Sequence, residues 1–330
     1  MTKRQRVEAV LQGRRPDCPP VSCWYHFGRD QQSGPAAVDA HLLHLEKYDL
    51  DFLKVMHDLP FPRGDVDVVR SAQDLRKIRP LPGDAGSLGE QLQLIRELSQ
   101  RVGPDVFLCN TLFNPWTTLR LMTRPLSYDH GTPKMDCHDD RDETLTALLN
   151  EDRAAVWAAL EALARTLAAF VRLALAAGTH GVYLSVRDDW VNTPANGPQT
   201  YEELVRPADL IVLDAASKAP FNVLHICGRP RNFTGFAEYP VQVLHWADRA
   251  AGPSLAYARD RAKPALAGGV DNLKTLPQGS PQDVAAEVRD ALRQVKNRPL
   301  IVAPGCTFDP KAVPEENLHA MFDAARQGDE

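Results

Sequence analysis

The chain has 330 residues, of which 44% are hydrophobic, and its formal net charge is −5 at pH 7. The hydrophobic fraction is enough to bury a sizeable core, whereas the negative charge and the absence of a long basic run argue against a nucleic-acid partner. Residues 1–17 contain no apolar stretch typical of a secretion signal, and no run of about 18 uncharged apolar residues predicts a membrane span. Six cysteines in a chain without such a signal are typical of reduced thiols, so we expect a cytoplasmic protein.

Short apolar runs alternate along the chain with segments of helical periodicity. The predicted strands are residues 21–27, 51–56, 106–113, 181–186, 221–227, 241–246, 264–268 and 300–303. The predicted helices are residues 37–47, 85–99, 152–177, 201–219, 254–262 and 280–294. Two helix boundaries are well marked, because Ser280 precedes a proline at the first helical position and Gly178 follows a long alanine-rich run.

This alternation of strands and helices predicts a parallel sheet with right-handed crossover connections. Eight strands fit a closed (β/α)8 TIM barrel of the α/β class better than an open sheet, and the length agrees with one barrel domain over residues 1–330. Residues 124–140 are polar, contain glycine and proline, and lie between the third strand and the long helix. We expect them to form an excursion over one rim of the barrel, in the manner of a lid.

The fifth predicted strand ends in His225-Ile226-Cys227-Gly228. Side chains alternate along a strand, so His225 and Cys227 point to the same side. An imidazole and a thiol at this spacing suit zinc, and Cys306, at the end of the eighth strand, is a third candidate ligand. Three protein ligands leave one tetrahedral position open, which is typical of catalytic zinc. The alternative is a chance His-x-Cys pair in which the cysteine is a small buried hydrophobe.

Other polar side chains gather at the carboxyl ends of the predicted strands, where TIM barrels carry their active sites. The candidate catalytic acids are Asp58, Asp188 and Asp271, and the candidate substrate contacts are His57, Asn110, His245 and Trp246. The same rim carries His26, Thr111, Asn114, Asp189 and Asp248. Structural alternatives stay open: the pair at 57–58 suits a turn, the pair at 188–189 suits a helix cap or a solvated loop, and Trp246 suits the core.

Six segments carry the pattern of a known family: residues 51–58, 177–185, 224–228, 268–271, 303–306 and 314–318. Over nearly its whole length the chain resembles the uroporphyrinogen decarboxylase superfamily, and within it the cobalamin-dependent branch typified by methylcobalamin:coenzyme M methyltransferases. The resemblance implies a (β/α)8 barrel and, for this branch, zinc held by a His-x-Cys pair and a later cysteine. By position these ligands are His225, Cys227 and Cys306. The likeness also suggests a homodimer.

The chain departs from the decarboxylases of this superfamily at one place. Those decarboxylases carry an Arg-Gln-Ala-Gly-Arg signature near the amino terminus, which binds substrate carboxylates. The corresponding residues 23–28 have only Arg29 close by. A tetrapyrrole with many carboxylates needs several cations in its pocket, so this difference counts against porphyrin decarboxylation.

The sequence therefore predicts a zinc-dependent methyltransferase that moves a methyl group between a corrinoid and a thiol or another small acceptor, in either direction. It contains no Asp-x-His-x-x-Gly corrinoid-binding motif, so we expect methylcobalamin to arrive on a separate corrinoid protein. It also lacks the GxGxxG, GxxxxGK(S/T) and GxSxG motifs of nucleotide sites and hydrolases. Two alternatives stay open: a cofactor-free decarboxylase that uses Asp58 or another rim acid, and a non-catalytic metal- or corrinoid-binding accessory protein.

Overall fold

A parallel β-sheet forms the centre of the fold. The computed structural model describes residues 1–126 and 138–328, so residues 127–137 of the predicted rim excursion lie outside the described residues. Within the described parts, seven strands form one sheet in chain order, and every neighbouring pair is parallel. They are β1 (Phe52–Val55), β2 (Phe107–Phe113), β3 (Gly181–Val186), β4 (Val223–Ile226), β5 (Val243–Trp246), β6 (Ala265–Val270) and β7 (Leu300–Pro304).

The segment predicted as the first strand, residues 21–27, is reduced to a single bridge. Val21 pairs in parallel with Val302 of β7, and the Val21 carbonyl accepts a bond from the Asp51 N–H beside β1. The segment thus lies between the two edge strands and closes the sheet. Residues 22–27 make no further bridge, and Pro19 and Pro20 cannot extend the pairing towards the amino terminus because they have no N–H to donate to a ladder. The predicted α/β barrel is confirmed, with this correction to its first strand.

Helices occupy the connections between the strands. In chain order they are α1 (Lys3–Leu11), α2 (Gly34–Lys47), α3 (Ala72–Leu75), α4 (Ser87–Arg101), α5 (Pro115–Met122), α6 (Asp140–Glu151), α7 (Arg153–Ala177), α8 (Arg206–Ala215), α9 (Phe233–Phe236), α10 (Leu255–Ala258), α11 (Thr275–Gln278), α12 (Pro281–Val295) and α13 (Glu315–Gln327). The helix predicted at 201–219 begins with a π-helical turn, Tyr201–Val205, and the helix predicted at 254–262 is shortened to α10. The predicted boundaries at Ser280 and Gly178 are confirmed.

The long helix α7 is part of the core. Among the described residues it is the one helix long and apolar enough to cross a membrane, and 67% of its most apolar window is buried within the fold. It packs against α4, α5 and α8. Its apolar composition is therefore explained by burial against the neighbouring helices.

Each strand contributes alternate side chains to two separate cores. One core lies inside the barrel and is rich in aromatic rings, including Phe52, Phe107 and Phe221. The other lies between the sheet and the helices and takes the intervening residues, such as Leu224 and Leu244. The parity of a residue in its strand therefore decides whether its side chain can reach the barrel interior.

Asp51 holds the closed end of the sheet. Its side chain is fully buried, and Oδ2 accepts bonds from the Val21 N–H at 2.8 Å and from Arg326 Nη1 at 2.7 Å. Oδ1 accepts from Arg6 Nη1 at 3.3 Å. One carboxylate thus joins β1 and the closing segment to the first and last helices of the chain.

We predict that Asp51→Ala lowers the free energy of unfolding by about 3 kcal/mol, because it leaves two guanidinium groups and a backbone N–H without their buried acceptor. Urea denaturation followed by circular dichroism measures this change. The matched control is Asp39→Ala, which removes an exposed partner of Arg101 and should change stability by less than about 1 kcal/mol. Equal losses in the two variants would contradict a closing role for Asp51.

Candidate metal centre

Three potential metal ligands converge at the carboxyl ends of the strands. His225 lies on β4 and faces the barrel interior, Cys227 follows two residues later with the same parity, and Cys306 follows β7. Their ligand atoms all lie within 4.8 Å of one another, and Cys306 Sγ is 3.3 Å from His225 Nε2. Among the described residues this is the only such group of histidine, cysteine and acidic side chains.

The backbone before Cys306 fits tightly into its surroundings. The Gly305 N–H donates to the Val270 carbonyl, and a Cβ added at Gly305 would meet the Ala247 Cα at 2.6 Å. Only glycine can pass so close to the loop that follows β5. This close approach helps to hold the Cys306 thiol near His225.

The donor set fits zinc. Zinc–sulfur bonds of about 2.3 Å and zinc–nitrogen bonds of about 2.0 Å place tetrahedral N and S ligands roughly 3.6 Å apart and two S ligands roughly 3.8 Å apart. The 3.3 Å separation of Cys306 Sγ and His225 Nε2 is close to the first value. His225, Cys227 and Cys306 could therefore hold one zinc ion with small side-chain adjustments and leave a fourth position for a substrate.

The two thiols of the site differ in acidity. The hydrogen bond between them lowers the pKa of Cys306 and raises that of Cys227, and the charge of Lys54 also favours the Cys306 thiolate. Arg187 lies on the other side, with Nη1 4.0 Å from Cys227 Sγ. Arg187 is held in place by Asp189, which accepts bonds of 2.6 and 2.9 Å from its guanidinium. Positive charge near both sulfurs favours their ionised, metal-binding form.

Lys54 is a site residue that the sequence prediction missed. It lies on β1 with 5% exposure, and its ammonium is 4.3 Å from the Tyr183 ring centroid and 5.5 Å from that of Trp24. No carboxylate of the described residues lies within ion-pair distance of its nitrogen, and burial lowers its pKa to about 8. A lysine at an inward position of the apolar run Phe52-Leu-Lys-Val55 was the available signal.

His245, predicted to contact substrate, lies behind His225 and has no exposed surface. Its Nδ1 is 2.7 Å from His225 Nδ1 and 2.8 Å from the Tyr183 hydroxyl, and its Nε2 donates to the Pro304 carbonyl at 2.9 Å. The structure therefore places His245 against a candidate ligand, on the side away from solvent. The sequence prediction also missed Tyr183, although the alternation of side chains along the strand at 181–186 places it on the inward face.

Three other predicted substrate contacts lie outside the barrel interior. Asn110 accepts a bond from Gln91 of α4 at 2.8 Å, and Trp246 donates to the Pro253 carbonyl at 2.8 Å. His57 packs against the ring of Phe170 in α7. Asn110 and Trp246 directly follow inward-facing residues of their strands, so the pleat turns both side chains towards the helices. Nearness to a strand end therefore does not by itself bring a side chain to the site.

The three candidate catalytic acids lie in different local settings. Asp58 is 3% exposed, and its Oδ1 is 2.8 Å from His26 Nδ1. Asp188 accepts backbone bonds from residues 231 and 232 and so holds the loop after β4, and burial raises its pKa to about 6. Asp271 accepts from the N–H groups of residues 273 and 274 in a turn. None of the three belongs to the group of converging ligands found in the described residues.

The remaining rim residues support neighbouring loops and strands. The Thr111 hydroxyl donates to the Val55 carbonyl at 2.9 Å, and Asp248 accepts from the Gly269 N–H at 2.8 Å. A Cβ at Gly268 would lie 2.7 Å from the Asp248 carboxylate and one at Gly269 would lie 2.8 Å from the Ala291 Cβ, which explains the glycine pair. These two side chains hold the backbone around the site in place.

Asn114 belongs to a buried network behind the barrel mouth. It caps α5 through the Thr117 N–H and donates to Asp209 Oδ1 at 2.9 Å. Asp209 Oδ2 also accepts from the Tyr201 and Tyr239 hydroxyls, at 2.5 and 3.0 Å. Burial raises the pKa of Asp209 from its usual 3.8 to about 7, because these neutral donors only partly replace hydration of the charge.

The chain matches a known protein family in sequence and known enzymes in fold. Residues 56–328 match the family model for uroporphyrinogen decarboxylase. A methyltransferase from Methanosarcina mazei superposes with a TM-score of 0.74 at 19% identity, covering 99% of both chains. A B12-independent methionine synthase from a Shewanella species, in complex with selenomethionine, gives a TM-score of 0.53 at 11% identity and covers 88% of this chain and 86% of the other. No curated protein shows significant similarity to the chain.

We predict that Asp209 makes the protein less stable as pH rises. The folded state holds the Asp209 proton up to a pKa of about 7 while the unfolded chain releases it near 3.8, so stability is lost between these values. Asp209→Asn should weaken this decline, measured as the free energy of unfolding in urea at pH 5 and pH 8. Asp214→Asn, exposed on the same helix, is the control and should keep the wild-type pH dependence. A wild-type slope in Asp209→Asn would contradict the assignment.

Proposed function

Because the chain belongs to the uroporphyrinogen decarboxylase family, we propose that it is a zinc-dependent methyltransferase of the cobalamin-linked branch. It moves a methyl group between a corrinoid and a thiol or another small acceptor. The observation that supports this proposal is the convergence of His225, Cys227 and Cys306, whose ligand atoms lie within 4.8 Å of one another. The fold shared with a methyltransferase is compatible with it.

The proposed chemistry needs a sulfur nucleophile. Zinc, which His225, Cys227 and Cys306 would hold, would supply Lewis acidity that lowers the pKa of a thiol substrate. In the direction towards the thiol, the thiol would release its proton to solvent, a sulfur–carbon bond would form and the cobalt–carbon bond of the corrinoid substrate would break, with the electron pair remaining on the corrinoid. Among the chain's own residues, the buried Lys54 ammonium favours an anionic sulfur near it.

The same proposal includes a corrinoid protein as partner, a homodimeric assembly and a cytoplasmic location. The corrinoid arrives on a separate protein that docks over the barrel mouth, and the chain forms a homodimer. The five cysteines of the described residues are all free thiols, which supports a cytoplasmic location. Asp58, paired with His26 at 2.8 Å, is the rim acid that a decarboxylase alternative would use.

We predict that the purified protein contains about one zinc ion per chain and that Cys227→Ser and Cys306→Ser each lose most of it. Elemental analysis of metal content measures this. The matched control is Cys109→Ser, a buried cysteine in the barrel interior outside the ligand group, which should keep its zinc. Full zinc retention in both site variants would rule out the proposed metal centre.

The reaction itself is tested with methylcobalamin and a panel of small thiols. The expected result is a methylated thiol together with the spectral change of demethylated cobalamin, and Cys306→Ser should abolish both. Zinc binding without methyl transfer to any thiol would favour the accessory protein. Conversion of uroporphyrinogen to coproporphyrinogen would instead favour the decarboxylase.

We predict opposite effects of Lys54→Met on activity and on stability. Loss of the positive charge beside the sulfurs should slow methyl transfer by about tenfold at pH 7, the equivalent of one pKa unit. Burial lowers the pKa of Lys54 from 10.5 to about 8, so the charged form costs stability below pH 8 and this cost disappears as pH rises towards 10.5. The variant should therefore unfold at a higher urea concentration than wild type at pH 7, with a smaller difference at pH 10.

The control for this comparison is Lys218→Met, an exposed lysine after α8, which should leave both quantities near wild type. A Lys54→Met protein with wild-type transfer rate would remove Lys54 from the proposed site. A loss of stability at pH 7 would contradict the cost assigned to its buried charge.

A further inference from the structure

The Pro304 carbonyl determines the protonation pattern of His245. A carbonyl oxygen only accepts hydrogen bonds, so His245 Nε2, 2.9 Å away, must carry a proton. His245 has no exposed surface, which disfavours a second proton on the same ring. Its Nδ1 is therefore a lone-pair acceptor.

This acceptor then determines the tautomer of His225. The Nδ1 atoms of the two rings are 2.7 Å apart, and two lone pairs at that distance would repel each other. His225 Nδ1 must carry the proton that lies between them. In the neutral ring its Nε2 is then unprotonated, and this is the atom that lies 3.3 Å from Cys306 Sγ. Neutral histidine binds a metal through its unprotonated nitrogen.

We infer that His245 is a positioning residue that holds His225 in the tautomer whose Nε2 can bind the metal. The inference deepens the proposed function and depends on it for the metal. The anchor of His245 is the carbonyl of Pro304 in β7, two residues before Cys306. One bonded chain therefore connects the candidate ligand on β4 with the strand that precedes the candidate ligand Cys306.

His245 itself has no nitrogen available as a ligand. Nε2 donates to Pro304, and Nδ1 faces His225 and the Tyr183 hydroxyl. His245 is also absent from the group of converging ligands found among the described residues. Its action on a metal is therefore indirect, in the manner of the outer partners that orient metal-binding histidines.

The Tyr183 hydroxyl competes with His225 Nδ1 for the lone pair on His245 Nδ1. This hydroxyl lies 2.8 Å from His245 Nδ1, so two donors share one acceptor. The Tyr183 ring also stacks on His225 at 5.4 Å between centroids. Tyr183→Phe keeps the ring and removes the competing donor, so His225 alone then donates to His245.

The test measures zinc affinity by competition with a chromophoric chelator. His245→Leu should bind zinc about 10- to 100-fold more weakly than wild type, the usual effect of losing such an outer partner. His245→Gln should recover most of the affinity, because its amide can donate to Pro304 and accept from His225. Tyr183→Phe should bind zinc at least as tightly as wild type.

The matched control is His41→Leu. His41 is also buried and bonded at both nitrogens, to the Ala37 carbonyl and the Met56 N–H, but it lies outside the candidate site. Its loss should lower stability and leave the zinc dissociation constant unchanged. A wild-type zinc constant in His245→Leu, or equal weakening in His41→Leu, would overturn the positioning role.

A second measurement does not depend on the variants or on the metal. Nitrogen-15 NMR of the metal-free wild-type protein should find His225 protonated at Nδ1, the atom that faces His245. An unprotonated Nδ1 on His225 would overturn the inference even if His245→Leu does not fold. If wild type binds no zinc but has the expected tautomer, the proposed function fails while the histidine arrangement stands.

Discussion

The candidate centre depends on closure of the sheet. β4 and β7 are separated by β5 and β6, so in a flat sheet they would lie roughly 14 Å apart at the usual strand spacing. The 3.3 Å approach of His225 and Cys306 therefore requires that the sheet curl until their side chains meet inside it. The bridge at Val21 and the buried carboxylate of Asp51 hold that curl, although both lie where β7 meets β1, three strands from β4 in either direction.

The sequence was informative where the signal is local. Seven of the eight predicted strands form, because each is a short apolar run bounded by turn residues. His225 and Cys227 could be paired from their spacing alone, since two residues along a strand return to the same face. Cys306 could be added because strand ends of a barrel share one rim, and the structure brings it to the other two.

What the sequence did not predict depends on long-range packing or on parity. Nothing local in residues 21–27 shows that only one residue would pair, since this depends on the edges of β1 and β7. The alternation of side chains along a strand predicts that Asn110 and Trp246 point away from the barrel mouth, as the structure shows. Strand parity also places Lys54 and Tyr183 on the inward face of their strands. Which face is inward follows only once the barrel interior is known.

The register between β4 and β5 connects the fold to the chemistry. His225 and His245 are register partners, and their rings stack at 4.7 Å with an interplanar angle of 27°. A slip of one residue would turn His245 towards the helices and bring Leu244 to face His225, because the side-chain period of a strand is two. Leu244 has no lone pair, so the His225 N–H would be buried without an acceptor. The same pairing that stabilises the sheet thus also decides which nitrogen of His225 carries the proton.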